Sequence, residues 1–390
     1  MKKIFLSIII LLIATYSLYG VPACPEELIF TQPDGSKLTL YQRGDEYFHW
    51  TETENKEIVI KNGEHYEYAT IKNNQIVASG TMVSSKNSYN AKSQLSTRDE
   101  LMELISQKQS LAIAKIDSIN KLDNSGVKSI PLTEGNQKVL CILIDFPDLH
   151  FTKTTTDFEN LWNQTGYNYE GSQGSVKDFY LENSYGQLNV TATVVGPYTA
   201  SNNSSYYDTG NGIDSSNVRI LIREAMLAAR NDVQFSNFDV NQDHYVDLVH
   251  VVFAGYAQEI LGSPGVIWSH HWALSTPVWQ GLYKAKNYIC TSELAGLSGT
   301  KVAPIGTVCH EYGHHLGAPD YYAPDSTGFK GTGPWDVMCS GSWNNSGRCP
   351  AHHNPYSKAY IYNWVTPTVI SSSTSDTQYT LTPSYNTTSF

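Results

Sequence analysis

The stretch His310-Glu311-Tyr312-Gly313-His314-His315-Leu316-Gly317-Ala318-Pro319-Asp320 constrains this chain more than any other. His310 and His314 are four residues apart, so on an α-helix their imidazoles share one face. Two imidazoles so placed can grip one Zn²⁺ at about 2.0–2.1 Å each. Glu311 follows the first of them, where a carboxylate can take a proton from water at the metal. Gly317 offers the left-handed conformation that turns a chain back after a helix. That reversal returns Asp320 as a third, oxygen ligand and leaves a fourth position open, as a catalytic zinc needs. An amphipathic helix with two surface histidines would carry the same pair, but it gives no reason for Gly317 or Asp320.

The 390 residues suffice for two or three domains, and a formal net charge of −11 argues against nucleic acid as a partner. Lys2 and Lys3, the apolar run Ile4 to Leu18, and small residues at Gly20 and Ala23 read as a signal peptide over residues 1–20. The run is short for a span, so the mature form is expected to have none. Val21-Pro22-Ala23-Cys24 faintly resembles a lipoprotein cleavage box that Pro22 fits poorly. The expected location is therefore outside the cell or on its surface, with a lipid anchor as the lesser alternative. Six cysteines in an exported chain allow 15 connectivities. Cys339 and Cys349 bracket a short Gly/Asn-rich loop and are the first candidate pair, whereas Cys141 and Cys309 read as buried thiols.

Residues 28–83 read as a small β module. Gln32-Pro33-Asp34-Gly35-Ser36, Gly44-Asp45-Glu46 and Asn62-Gly63 are turns between alternating runs, with His49 and His65 as strand residues. Thr97-Arg98-Asp99-Glu100 is a capping box opening a helix to about Leu122, with an apolar stripe of Leu101, Leu104, Ile105, Leu111 and Ile116. Residues 123–138 look like an exposed linker. A removable N-terminal module fits an exported hydrolase that must stay silent inside the cell. Residues 21–130 are accordingly expected to be a propeptide, the alternative being a permanent accessory domain. Cys24 is a candidate thiolate cap for the zinc in the latent form.

The continuous apolar run Val139 to Phe146 marks a strand buried on both faces and opens a catalytic domain spanning 136–366. Helices are expected at 175–183, 217–230 and from Pro304 to Leu316. Strands are expected at 188–195 (closed by Gly196-Pro197), at 248–254 and, as a short edge strand, at 287–290. Residues 292–300 read as loop. The alternation gives an α/β, or α+β, domain with a mixed twisted sheet. Asp239, Asn241, Asp243, Tyr245 and Asp247 place oxygens at the offsets of a calcium loop, although His244 stands where Gly is usual and no Glu closes it. An acidic turn ahead of a strand is the alternative. In Ile267-Trp268-Ser269-His270-His271-Trp272 the histidines read as packing residues or as cleft lining. His352 to Trp364 reads as another helix, in which Tyr356 or a nearby histidine is a candidate oxyanion stabiliser. Residues 367–390, with strand-like Gln378 to Leu381, look like a tail or the start of a further β module that stops early.

Pro334-Trp335-Asp336-Val337-Met338-Cys339-Ser340-Gly341 looks like the Met-turn of metzincins, with Met338 as an apolar floor beneath the metal. Together with the His310–Asp320 motif it resembles the immune inhibitor A family of secreted, metzincin-like zinc metalloendopeptidases. Ser175-Val176-Lys177-Asp178-Phe179-Tyr180, Asn183-Ser184-Tyr185-Gly186, Ile267-Trp268-Ser269-His270, and the turns at Gln32–Gly35 and Gly44–Glu46 carry the resemblance further. It implies His310, His314 and Asp320 as zinc ligands and Glu311 as the base. It also implies a bacterial zymogen, often with calcium, acting on protein or peptide substrates. His315 matches no position of the motif. The expected chemistry is hydrolysis of peptide bonds by metal-activated water, with Glu311 relaying the proton to the leaving amine. The rivals are a narrow-specificity metallopeptidase and an inactive protease-fold binding or adhesion protein. Oligomeric state is not legible.

Overall fold

A computed structural model describes residues 20–84, 96–122, 131–207, 216–262, 265, 267–322 and 331–368. The expected signal peptide up to residue 19, the linker over 123–130 and the tail from 369 lie outside the described residues, as does Gln378 to Leu381.

The N-terminal module is a six-stranded antiparallel sheet in which each strand lies beside the next in sequence. Its strands are β1 (Leu28–Thr31), β2 (Lys37–Gly44), β3 (His49–Thr53), β4 (Ile58–Asn62), β5 (His65–Lys72) and β6 (Gln75–Met82). Helix α1 (Arg98–Leu122) packs Leu101 and Ile105 against Phe48, Trp50, Ile58 and Ala69. The capping box forms: Thr97 N–H donates to Glu100, and Glu100 N–H donates back to the Thr97 hydroxyl at 3.2 Å. The apolar stripe is shorter than expected, because Leu111 is 70 % exposed. Among the described side chains of this helix, Leu101, Leu104, Ile105 and Gln109 are buried. The side chain of Ile116 lies outside the described residues.

The second region holds a five-stranded sheet of β7 (Gly135–Asp145), β8 (Leu188–Thr199), β9 (Leu248–Tyr256), β10 (His270–Gln280) and β11 (Tyr283–Leu294). The order is β10-β11-β9-β7-β8, parallel except for β10, which runs antiparallel to β11. The sheet is mixed, as expected. Period-two alternation sends Leu140, Ile142 and Ile144 of β7 into one core and Val139, Cys141 and Leu143 into the other. The first core is covered by α4 (Ser216–Ala229); the second by α2 (Thr155–Asn163), α3 (Val176–Asn183) and α5 (Ile305–His315). Each aliphatic side chain buried this way contributes about 1.5–3 kcal/mol.

Several expectations are corrected. β7 begins at Gly135, four residues early, because its first turnless stretch pairs with β8 from Leu188 onward. β8 does not close at Gly196-Pro197 but runs through it to Thr199, with a register shift opposite Leu143. As the sheet's edge strand, β8 tolerates a residue without an N–H. β11 is neither short nor at the edge: it spans Tyr283–Leu294 between β10 and β9. Its polar residues hid its length, and Ser292–Leu294 belong to it rather than to a loop. The expected 352–364 helix shrinks to one turn at Ser357–Ile361, capped by Asn354 and ended by Asn363 at φ +60°. No disulfide joins Cys339 to Cys349: the six cysteines are all thiols, and the Cys339 sulfur lies against Thr332 and the Gly333 backbone. Among the described residues no helix is long and apolar enough to cross a membrane.

Candidate active site

Helix α5 is buried along its whole length, from Ile305 to His315. It ends where the sequence said it would. Gly317 has φ +104°, its N–H donates to His314 O, and Ala318 N–H donates to Gly313 O. This pair of bonds is the Schellman arrangement, which satisfies the last helical carbonyls and reverses the chain. The reversal has a chemical consequence. Ala318 O, just past the turn, accepts from His314 Nδ1 at 2.9 Å, and Val337 O accepts from His310 Nδ1 at 2.7 Å. A carbonyl only accepts, so each Nδ1 carries a proton, and in a neutral imidazole that leaves Nε2 with a lone pair.

The two lone pairs converge. His310 Nε2 lies 2.9 Å from His314 Nε2, and Asp320 Oδ1 lies 3.2 and 3.4 Å from them. A tetrahedral zinc site with arms of about 2.0–2.1 Å has edges of about 3.3 Å. Three acceptors that close, with no proton among them, fit a divalent cation. Among the described residues these three form the one cluster of His, Cys, Asp or Glu whose ligand atoms gather within 4.8 Å.

Beneath the cluster the Met-turn is braced from both sides. Asp336 accepts from Met338 N–H and from the Asn354 amide, while Cys339 and Gly341 N–H donate to Asp336 O. Fully buried Met338 packs so close to α5 that a Cβ on Gly313 would lie 2.4 Å from its sulfur and 2.8 Å from His353. His353 is itself held by the hydroxyls of Tyr180 and Tyr362.

Glu311 is fully buried, and burial, with Asp320 beside it, pushes its carboxyl well above the ordinary range. Its Oε1 accepts the backbone N–H of Val21 at 2.8 Å, and its Oε2 has no partner. The segment Gly20–Cys24 therefore lies across the motif. Tyr322 OH donates to Gly20 O at 2.8 Å, Trp268 Nε1 to Val21 O at 2.8 Å and Trp343 Nε1 to Pro22 O at 2.9 Å. The N-terminal module contributes a second contact: Gly44 O accepts from Ala23 N–H, and the next residues, Asp45 and Glu46, are buried near Asp320. Burial raises Asp45 to about 7 and Glu46 well above its usual value, and both Glu46 oxygens lack partners.

The remaining sequence candidates sort unevenly. Cys24 is not with the ligands; it packs with Val21 and Trp343 while its N–H donates to Glu259 O. His271, read as packing or cleft lining, has its ring 6.4 Å from that of His314 and 6.2 Å from that of His315. His270 is a packing residue between Trp268 O and Tyr288. His65 pairs with Glu67, and His49, on β3, lies 4.9 Å from Trp268. Tyr356 is 60 % exposed and lies against Tyr360. In the acidic loop, Asp239 accepts from the N–H groups of Asp243 and His244, Asp243 from Tyr245 N–H, and Asp247 from Val240 N–H. His244 takes φ +68°, the conformation for which Gly is usual. Sequence reading missed Val21, Glu46 and Tyr322. Only the position of Tyr322, two residues past Asp320, was a usable signal.

Residues 128–366 match the family described as immune inhibitor A peptidase M6, catalytic domain. The pre-pro-metalloprotease PrtV of Vibrio cholerae serotype O1 is 29% identical over 277 residues, which cover 58% of this chain and 30% of that protein. Immune inhibitor A of Bacillus thuringiensis subsp. alesti is 28% identical over 254 residues, covering 56% of this chain and 35% of that one. The chain thus spans about a third of the length of these relatives. With the family match extending over more than half of its residues and enclosing His310, His314, Asp320 and Met338, the chain belongs to the immune inhibitor A peptidase M6 family.

Proposed function

We propose that this protein is an exported, zinc-dependent endopeptidase made as a zymogen. One observation carries the reading: the carboxylate next to a three-donor metal cluster grips a peptide N–H of the chain's own N-terminal segment. A zinc ion held by His310, His314 and Asp320 would polarise a carbonyl and lower the pKa of water. Glu311, buried and next to those ligands, takes the proton of the attacking water and passes it to the leaving nitrogen. The Val21 N–H marks where such a nitrogen sits. Val337 O and Ala318 O fix the tautomers of the two histidines, and Met338 keeps the helix at its depth.

The same bond supports latency. While the Val21 nitrogen occupies Glu311 and Val21–Cys24 fills the cleft, a substrate chain has no access. The N-terminal module, residues 21–130, holds that segment through Gly44 and is the proposed propeptide. Residues 136–366 are the proposed catalytic unit. Calcium at Asp239, Asn241, Asp243, Tyr245 and Asp247 is proposed as a structural ion. Export follows from the basic and apolar character of residues 1–20.

The test is a casein assay on the processed protein, with zinc analysis and a chelator control. Glu311→Ala is expected to retain zinc and lose at least a hundredfold in turnover. Chelator-resistant hydrolysis, or an active Glu311→Ala variant, defeats the scheme. A zinc-loaded wild type inactive on every protein substrate makes it a binding protein instead.

A further inference from the structure

A chain of hydrogen bonds with one fixed direction ends on the helix that carries the metal motif. Tyr180 OH lies 2.5 Å from Cys309 O, His353 Nε2 lies 3.4 Å from Tyr180 OH, and Tyr362 OH lies 3.2 Å from His353 Nδ1. Cys309 O only accepts, so the one hydroxyl proton of Tyr180 goes there. The Tyr180 oxygen must then accept from His353, which puts a proton on Nε2. All three side chains are buried, and burial, with Lys358 nearby, holds the His353 imidazole well below the ordinary histidine range. The ring is neutral, its Nδ1 accepts, and Tyr362 donates. The end point of this relay is the peptide unit that leads into His310. The segment that carries His353 also reaches the other end of that residue: His352 O accepts from Val337 N–H at 3.4 Å, and Val337 O accepts from His310 Nδ1 at 2.7 Å. The His353 N–H donates to Asn183 Oδ1 at 2.9 Å, and Asn183 lies three residues after Tyr180 on α3, on the same face. Between these anchors the ring faces α5 at Gly313, where an added Cβ would lie 2.8 Å from His353 Cε1.

We propose that Tyr180 and His353 are positioning residues for the metal ligand His310: their relay fixes the helix backbone at that residue while Val337 O fixes its imidazole. The proposal rests on the endopeptidase reading above and adds the support of its metal site. Neither residue touches substrate or moves a proton in the reaction. A ligand whose main chain shifts carries its Nε2 with it, and the open fourth position moves too, which a reaction that depends on placement to within an ångström does not tolerate. Apolar packing would hold the helix with any side chains of the right volume. The relay instead has a donor order, and each buried polar group left unpaired costs about 1–3 kcal/mol, so only one arrangement satisfies all of them. The sequence offered a histidine near Tyr356, or Tyr356 itself, as an oxyanion stabiliser. His353 lies against the buried side of α5 instead, and Tyr356 is exposed.

The experiment uses the full chain loaded with zinc and, separately, with cobalt(II) as a spectroscopic stand-in. Tyr180→Phe removes one oxygen and keeps the ring. It is expected to weaken zinc about 10–100-fold in competition with a chelating dye, the range for partners that orient metal ligands, and to shift the visible cobalt bands. After processing, its kcat on a fluorogenic peptide should fall about tenfold with KM within a few-fold of wild type. His353→Leu is expected to behave alike, and the double variant to lose no more than either alone, because each breaks the same chain. His353→Gln keeps a donor and an acceptor and is expected to recover most of the loss, a rescue that a packing role would not give. Wild-type zinc affinity and cobalt bands in Tyr180→Phe, whatever its Tm, overturn the proposal, and so does a His353→Gln variant as damaged as Tyr180→Phe. Should His353→Leu fail to fold, those two variants decide. A zinc-loaded, processed wild type that cuts nothing overturns the endopeptidase reading, while zinc affinity and the cobalt bands still judge the relay.

Discussion

His310 Nε2 and His314 Nε2 face each other at 2.9 Å, each with its far nitrogen bonded to a backbone carbonyl. In neutral imidazoles neither nitrogen can donate to the other without giving up its carbonyl partner, so two lone pairs face each other and a cation between them would relieve that repulsion. Metal removal should therefore loosen the fold. A ligand at 100 times its Kd adds about 2.7 kcal/mol, which in a domain of this size raises Tm by roughly 5–10 °C. Chelation is expected to lower the wild-type Tm by that order and to leave the His310→Ala variant unmoved. Scanning fluorimetry checks it. Equal melting of wild type with and without chelator would remove the metal from the site.

The acidic loop gives a prediction with a defined sign. Burial, with Asp239 and Asp243 nearby, raises Asp247 from 3.8 to about 6. A carboxyl raised in the fold binds its proton more tightly there than in the unfolded chain. Its stabilising contribution is full at low pH, declines as pH rises from about 4 to about 6, and stays lost above. Asp247→Asn should flatten that part of the Tm–pH profile. Calcium, by taking the place of the proton, should flatten it too in the wild type. If calcium leaves the wild-type slope unchanged, the loop is an acidic turn and no more.

Residues that act through local chemistry were legible in the sequence, and those brought together by tertiary contact were not. His310, His314, Gly317 and Asp320 lie within one helix and its exit turn, so spacing alone placed them. The buried run of β7 was legible because it is apolar on both faces. β11 was not, since Lys284, Lys286 and Asn287 break its pattern while β10 covers it from outside. Val21 and Glu311 are 290 positions apart, and no periodicity links them.

Gly313 separates helix propensity from packing. In an isolated helix Gly→Ala stabilises by about 1 kcal/mol. Here the added methyl would sit 2.4 Å from the Met338 sulfur and 2.8 Å from His353. Overpacking of a tight core costs about 1–3 kcal/mol, so Gly313→Ala is expected to lower Tm. It should also weaken zinc retention, because α5 carries both histidines. Dialysis against a metal buffer measures this. A variant that is more stable and holds zinc like wild type would show that the methionine floor yields freely.

Gly44 tests whether the N-terminal module enforces latency. It has φ +95°, its carbonyl accepts from Ala23 N–H, and a Cβ would lie 2.1 Å from Phe48 O. Backbone cannot swing aside as a side-chain tip does, and a residue with a Cβ is strained at that φ. Gly44→Ala should therefore dislodge the turn that carries Asp45 and Glu46, and with it the segment across Glu311. The unprocessed variant is expected to show peptidase activity that unprocessed wild type lacks, and to be processed sooner. Once processed, both should have the same kcat and KM, because residue 44 is no longer attached. Activity of the unprocessed chains, assayed beside gel analysis of their integrity, decides the matter. An unprocessed variant as silent as wild type, with a measurably loosened N-terminal module, would mean that the cleft is closed by something other than this strap.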